Sequence, residues 1–296
     1  MTDWLDIHRG SAPLIVSFPH TGTAIPMAIE ARLISPWLGR KDADWWVHEL
    51  YQPARTLRAT TIRTDIARTV IDVNRDPSGK SLYPGQATTA LCPLTTFDAE
   101  RLYRAGGEPD DAEVARRRGD YFDPYHAALS GEIARLRALH ACVVLYDAHS
   151  IRSRIPQLFA GELSNFNIGT NGGDSCDPAL TTAVERACAE SSFTRTTNGR
   201  FRGGWITRHY GQPKRGVHAL QMELAMRSYL DEPEHSSLSE ANWPPAYDAA
   251  RAGAVCAVLT KVMQACLDFA RVRGRVSTRT CASAEPVPRV RLSVSV

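Results

Sequence analysis

No pair of cysteines in this chain is spaced as CxxC. There are seven, Cys92, Cys142, Cys176, Cys188, Cys256, Cys266 and Cys281, odd in number and scattered. Such spacing indicates neither a disulfide framework nor a cysteine zinc site, and most of the seven are expected to be small buried apolar side chains. The chain also lacks an apolar run approaching the roughly 20 residues of a membrane helix. Its opening, MTDWLDIHRG, has no basic segment followed by an apolar core, so a cytoplasmic location is expected. GxGxxG, GxxxxGK[ST] and GxSxG are all missing, which leaves phosphate cradles and a serine-hydrolase elbow without a local signature. Charge of one sign is lacking too. With 35 Lys+Arg against 32 Asp+Glu the net charge is +3, and no basic run is interleaved with aromatics, so nucleic acid is not the expected partner.

What is present is an ordinary globular composition, 43% hydrophobic and 23% charged, long enough to bury one large core. Apolar runs predict buried strands at 13–18, around TTIRTDI, at 69–73, at 141–147 and at 218–224. Amphipathic spacing predicts helices over 44–58, 110–140, 177–190 and 244–272. Alternation of the two argues for a single α/β domain with a mainly parallel sheet covered on both faces, its ligands gathering at the carboxyl ends of the strands. The domain is expected to occupy residues 1–273. Residues 274–296, rich in Arg, Ser, Val and Pro, lose helical periodicity and are expected to form a flexible tail.

Three of the apolar runs end in polar groups: His20 after PLIVSF, Asn74 and Arg75 after TVIDV, Asp147 and His149 after ACVVLY. Packing gives a core strand no reason to do this repeatedly. A loop histidine such as His20 is, taken alone, more often structural than a ligand. His149 is the stronger candidate, because Asp147 lies two residues away on the same side of an extended chain. A catalytic zinc site takes three protein ligands from His, Asp or Glu, which calls for a carboxylate. Asp44 in KDADWWVHELY is available, although Asp42 and Asp44 also suit the start of a helix. Arg68, Asn74 and Arg75 suit a bound carboxylate and equally a set of surface ion pairs. Glu223 sits in the apolar run ALQMELAMR, where an unpaired carboxylate is costly. It reads either as a general base or as a core ion pair with Arg227.

Together these residues resemble the N-formylglutamate amidohydrolases, or N-formylglutamate deformylases, of histidine degradation. The likeness runs from about Pro13 to about Met263. It rests on the ordered set PLIVSFPHTG, DADWWVHELY, IARTVIDVNRDPSG, LYPGQATTALCPL, LYDAHSIRSRIPQLFAGELSNFNIGT, NGRFRGGWITRHYGQP and GVHALQMELAMRSYL. The family is similar in turn to zinc carboxypeptidases and aspartoacylases, which implies a mixed sheet flanked by helices. In that wider group an early His and acid, a D-x-N-R stretch, a strand-end His and a late E-L follow in order; this chain departs in having no H-x-x-E after His20. The resemblance implies a divalent metal ion, zinc above all, held by His20, Asp44 and His149, with His48 and Glu49 as competitors for the place of Asp44. It implies Glu223 as the base and Arg68 as the cation facing the oxyanion. Asn74, Arg75, Arg152, Arg154, Arg202 and Arg208 would bind a small dianionic substrate, N-formyl-L-glutamate, hydrolysed to formate and L-glutamate. A related deacylase or carboxypeptidase with another acyl or peptide substrate is the alternative.

Overall fold

The structure, a computed structural model, describes residues 4–80 and 89–282, with 275–282 described by backbone alone. Seven strands form one sheet: β1 Leu5–His8, β2 Leu14–Phe18, β3 Thr60–Thr64, β4 Val143–Ile151, β5 Phe166–Gly169, β6 Arg195–Thr197 and β7 Val217–Ala225, in the order β1-β3-β2-β4-β7-β5-β6. The central strands β3, β2, β4 and β7 run parallel, whereas β1 joins β3 and β5 joins β7 antiparallel. The sheet is therefore mixed and mostly parallel, as expected. Four of the five expected apolar runs became β2, β3, β4 and β7. The run 69–73 is instead buried irregular chain, where the Asp72 carboxylate accepts the backbone N–H of Asn74 and the Asp72 N–H donates to the Leu91 carbonyl. Such a local side-chain turn competes with strand pairing, so Asn74 and Arg75 reach the sheet edge from a loop.

The period of two along the strands divides their side chains between two cores. One face, with Leu14, Val16, Val144, Tyr146, Leu220 and Met222, packs against Leu180 and Val184 of the helix Pro178–Ala189 and Val255, Leu259 and Met263 of the helix Ala249–Ala282. The opposite face, with Ile15, Val143, Leu145 and Ala219, is covered by Leu129, Ile133 and Leu136 of the helix Asp123–Leu139. Farther along that second face the same alternation delivers Ser17, Asp147, His149, Gln221 and Glu223. They stand beyond the residues that the helix covers, so the apolar face becomes a polar floor at the carboxyl ends of the strands.

The helices follow the expected segments with definite departures. In 44–58 the left-handed backbone of Trp46 and the ring of Pro53 leave two short helices, Val47–Leu50 and Pro53–Thr56, with Asp44 in the turn ahead of them. Asp110 caps the start of 111–139, which is continuous except for a π-helical turn at Arg118–Phe122. The last helix starts at Ala249, where the Asp248 carboxylate accepts the N–H groups of Ala250 and Arg251, and it continues past the expected boundary to Ala282. Residues 283–296 of the expected tail, and 81–88, which include LYPGQAT, lie outside the described residues. Contrary to expectation, Ala249–Gly274 matches a membrane span by length and composition, but half of its most apolar 18-residue window is buried and its apolar stripe is spent on the sheet.

The loop after β2 is pinned to the segment after β3 by backbone hydrogen bonds. Ala24 exchanges hydrogen bonds with Asp65 and Ala67, and a Cβ at Gly22 would lie 2.4 Å from the carbonyl carbon of Asp65. Only glycine permits this approach. Gly22→Ala is therefore expected to lower stability by about 1–3 kcal/mol, read as a drop in the urea midpoint at unchanged slope; an unaltered midpoint would show that the loop has room to shift.

Candidate active site

Backbone hydrogen bonds first bring the polar groups together. His20 follows β2, and its carbonyl accepts the Asp44 N–H at 2.9 Å, which ties two candidate ligands main chain to main chain. His149 leaves β4 two residues after Asp147 on the same face, and the parallel register places it opposite Glu223 on β7. The Asp44 carboxylate also accepts the Ser150 N–H at 3.2 Å, closing the ring between the two loops and β4.

The resulting cluster has a definite polarity. Asp44 Oδ2 lies 3.0 Å from His149 Nδ1 and 3.8 Å from His20 Nδ1, so both rings present Nδ1 to one carboxylate. The outward nitrogens also meet carboxylates: His20 Nε2 is 2.7 Å from Asp72 Oδ1, and His149 Nε2 is 3.0 Å from Asp147 Oδ2. Carboxylates behind the imidazoles are what metal-binding histidines ordinarily have, because they fix the tautomer and raise the basicity of the inner nitrogen. All five residues are buried. Among the described residues, His20, Asp44 and His149 are the group of ligand type whose donor atoms all fall within 4.8 Å of one another.

Charge makes the same case. The carboxyl groups of Asp44, Asp72, Asp147 and Glu223 outnumber the guanidinium groups of Arg68 and Arg75 gathered with them. Burial by itself would lower the His149 imidazole, but Asp147 and Asp44 outweigh it and hold the ring well above its ordinary value. His20 moves the other way, lowered by burial and by the Arg68 charge. Burial pushes Glu223 up to about 8 against the opposing charge of His149. For Asp72, the charges of His20, Arg75 and Arg68 overcome burial and keep it well below the carboxylate range. Two imidazoles and one carboxylate, with further acids behind the rings, fit a divalent cation.

The cluster forms the floor of a cleft with about 610 Å³ of space that opens to solvent. Arg68, Arg75 and Arg200 give its walls positive charge, while Phe97, Ile151, Leu158 and Phe201 give them apolar surface. Residues 12–230 match the model of the N-formylglutamate amidohydrolase family. This chain belongs to that family. It is 43% identical over 274 residues to the N-formylglutamate deformylase of Pseudomonas aeruginosa, a match covering 92% of the chain and 99% of that protein. It is also 43% identical over 231 residues to that of Pseudomonas putida, covering 78% of the chain and 86% of the relative. A crystal structure of an N-formylglutamate amidohydrolase from Ralstonia eutropha shares the fold, with a TM-score of 0.71 at 23% identity over 91% of this chain and 99% of that one. The chain is accordingly an amidohydrolase.

Membership in the family leaves the residue assignments to the geometry. His48 pairs with Glu49 at 3.3 Å beside a separate surface hollow, so neither joins the cluster. Arg68 lies in the cleft, its Nη2 2.8 Å from Asp72 and its guanidinium 4.7 Å from the Phe97 ring centre. Arg75 lines the cleft with its head held by Thr89. Asn74 also lines it, but its amide NH2 faces Asp147 and His149 while its Oδ1 accepts the Ile206 N–H. The Asn74 amide is thus engaged in supporting the cluster.

Four expected substrate arginines are elsewhere. Arg152 is buried against Asp42 and Asp98, an acidic pair that also steadies the turn bearing Phe97, whose N–H donates to Asp42. Arg154 is exposed and pairs with Glu162. Arg202 is exposed beside Gly172, and Arg208 turns its Nε back onto the Gly203 carbonyl. None of the four lines the cleft. Arg200, which does, lies in the NGRFRGGWITRHYGQP stretch but was not among the expected substrate residues, and neither was Gln221, although it precedes Glu223 by two residues on one strand face. Glu223 is in a strand, and its conjectured partner Arg227 pairs with Glu162 instead.

Asp72→Asn removes the charge behind His20 while keeping its shape. Zinc or cobalt affinity is expected to fall about 10- to 100-fold, measured by chelator competition on the purified protein; wild-type affinity would remove Asp72 from the support of the cluster.

Proposed function

We propose that this protein hydrolyses N-formyl-L-glutamate to formate and L-glutamate, using a divalent metal ion, zinc by preference, held by His20, Asp44 and His149. The observation that carries the reading is the meeting, in one arginine-walled cleft, of the His-Asp-His cluster with a buried carboxylate, Glu223. The relatives named N-formylglutamate deformylase support the choice of substrate.

A metal ion bound there would supply Lewis acidity toward the formyl oxygen and toward the attacking water. Glu223 takes a proton from that water as its oxygen bonds to the formyl carbon. Arg68 directs positive charge at the oxygen that becomes negative in the tetrahedral stage. Held by Asp72 and stacked on Phe97, its guanidinium needs little reorganisation to do so. As the carbon–nitrogen bond breaks, Glu223 returns the proton to the departing amine, and formate and glutamate are released. Arg75 and Arg200, which line the cleft, would pair with the two substrate carboxylates.

An acyl group larger than formyl must find space among Phe97, Ile151, Leu158 and Phe201. In a series of N-formyl-, N-acetyl- and N-carbamoyl-L-glutamate, kcat/KM should favour formyl over acetyl by about 10- to 200-fold. Preference for acetyl would instead identify a deacylase of different acyl range. Arg75→Ala should raise KM roughly 10-fold or more, the scale of a lost charge-assisted hydrogen bond, whereas Arg154→Ala should leave it within about twofold. Steady-state kinetics on the two variants checks both, and the reverse ordering would return Arg154 to the substrate site.

A further inference from the structure

Gln221 leaves β7 on the same face as Glu223 and is 4% exposed, yet the reaction described above makes no use of it. Its amide has two partners at opposite ends. Oε1 accepts the backbone N–H of Gly204 at 2.7 Å, and Nε2 donates to Glu223 Oε2 at 2.9 Å. The first bond dictates the second: a peptide N–H can only donate, so the amide oxygen must face Gly204 and the NH2 must face the carboxylate. Gly204 has no latitude of its own, since a Cβ there would lie 2.5 Å from the Asn74 amide nitrogen.

We infer that Gln221 is a positioning residue that holds the Glu223 carboxylate in one orientation and couples it to the 198–204 segment. Oε2 is tied to Gln221, which leaves Oε1 for the cleft that Glu223 lines. The same segment carries Arg200 and Phe201 on the cleft wall. Through Gly204, Gln221 and Glu223, a ligand that settles that segment also settles the aim of the carboxylate. The inference rests on the reading of Glu223 as the base. It adds that the base depends on a neutral amide for its direction.

The test uses the metal-loaded full-length protein and formate release from N-formyl-L-glutamate. Gln221→Met fills the space without hydrogen bonds. Gln221→Glu keeps an acceptor for the Gly204 N–H but sets a second carboxyl group against Glu223 in place of the neutral donor, so it answers even where the methionine variant folds poorly. Each is expected to lower kcat about 10- to 100-fold, the penalty of a misaimed group, with KM within about threefold and metal stoichiometry unchanged. Placed on top of Glu223→Gln, either should produce no further loss, because residues acting as a unit are not additive. Wild-type kcat in both variants, a loss confined to KM, or a full multiplicative loss in the double variants would overturn the inference alone. Full turnover by Glu223→Gln by itself would sink the base assignment, and the inference with it.

Discussion

One buried carboxylate organises this protein's polar centre. Asp72 has no exposed surface, and its two oxygens meet His20, Arg68, the more distant Arg75 and the backbone N–H of Asn74. A carboxylate so far from water is tolerated only because it is paired and hydrogen-bonded on every side. The dependence is mutual. Without Asp72 the Arg68 guanidinium would be a buried cation left with the longer contact to Asp44 and the face of Phe97, and His20 would lose the partner that selects its ring orientation.

From that point the rest of the centre follows by division of labour. The sheet supplies rigid placement, since His149 and Glu223 are fixed by ladder hydrogen bonds between two nine-residue strands. Loops supply the groups that strands cannot deliver. His20 and Asp44 come from loops joined through a main-chain hydrogen bond, and Arg68, Asn74 and Arg75 from an irregular segment anchored by its own side chains. A second ionic group, Arg152 with Asp42, Asp98 and Lys41, lies behind the wall and holds the Phe97 turn against Arg68.

The parts of this arrangement that were legible in the sequence are those governed by local periodicity. An apolar run that ends in Asp-x-His, or contains Gln-x-Glu, announces a strand with a polar end on one face. The central strands and the grouping of His20, Asp44 and His149 follow from that logic together with family likeness. The arginines were illegible for a physical reason. A guanidinium goes to whichever carboxylate the fold brings near, and Arg152, Arg154 and Arg227 are claimed by acids between 8 and 110 positions away. The strands β1, β5 and β6 escaped notice because each is only three or four residues long, β1 and β6 being also partly exposed edges, and 69–73 was misread because its apolar pattern serves a buried turn.

The pairing of β4 with β7 has a further consequence. Across parallel neighbours the separation of His149 and Glu223 is set by the spacing of peptide hydrogen bonds, roughly 4.8 Å, and owes nothing to the side chains themselves. Such a distance cannot be tuned gradually. A slip or insertion of one residue in either strand would turn its polar set into the opposite core, and a slip of two would put Gln221 or Ala225 where Glu223 stands. Loops around the cleft can therefore drift in length and composition over evolutionary time, while the two strands admit substitution but not insertion. Diversity among proteins built on this plan should collect in the walls of the cleft and leave its floor metrically constant.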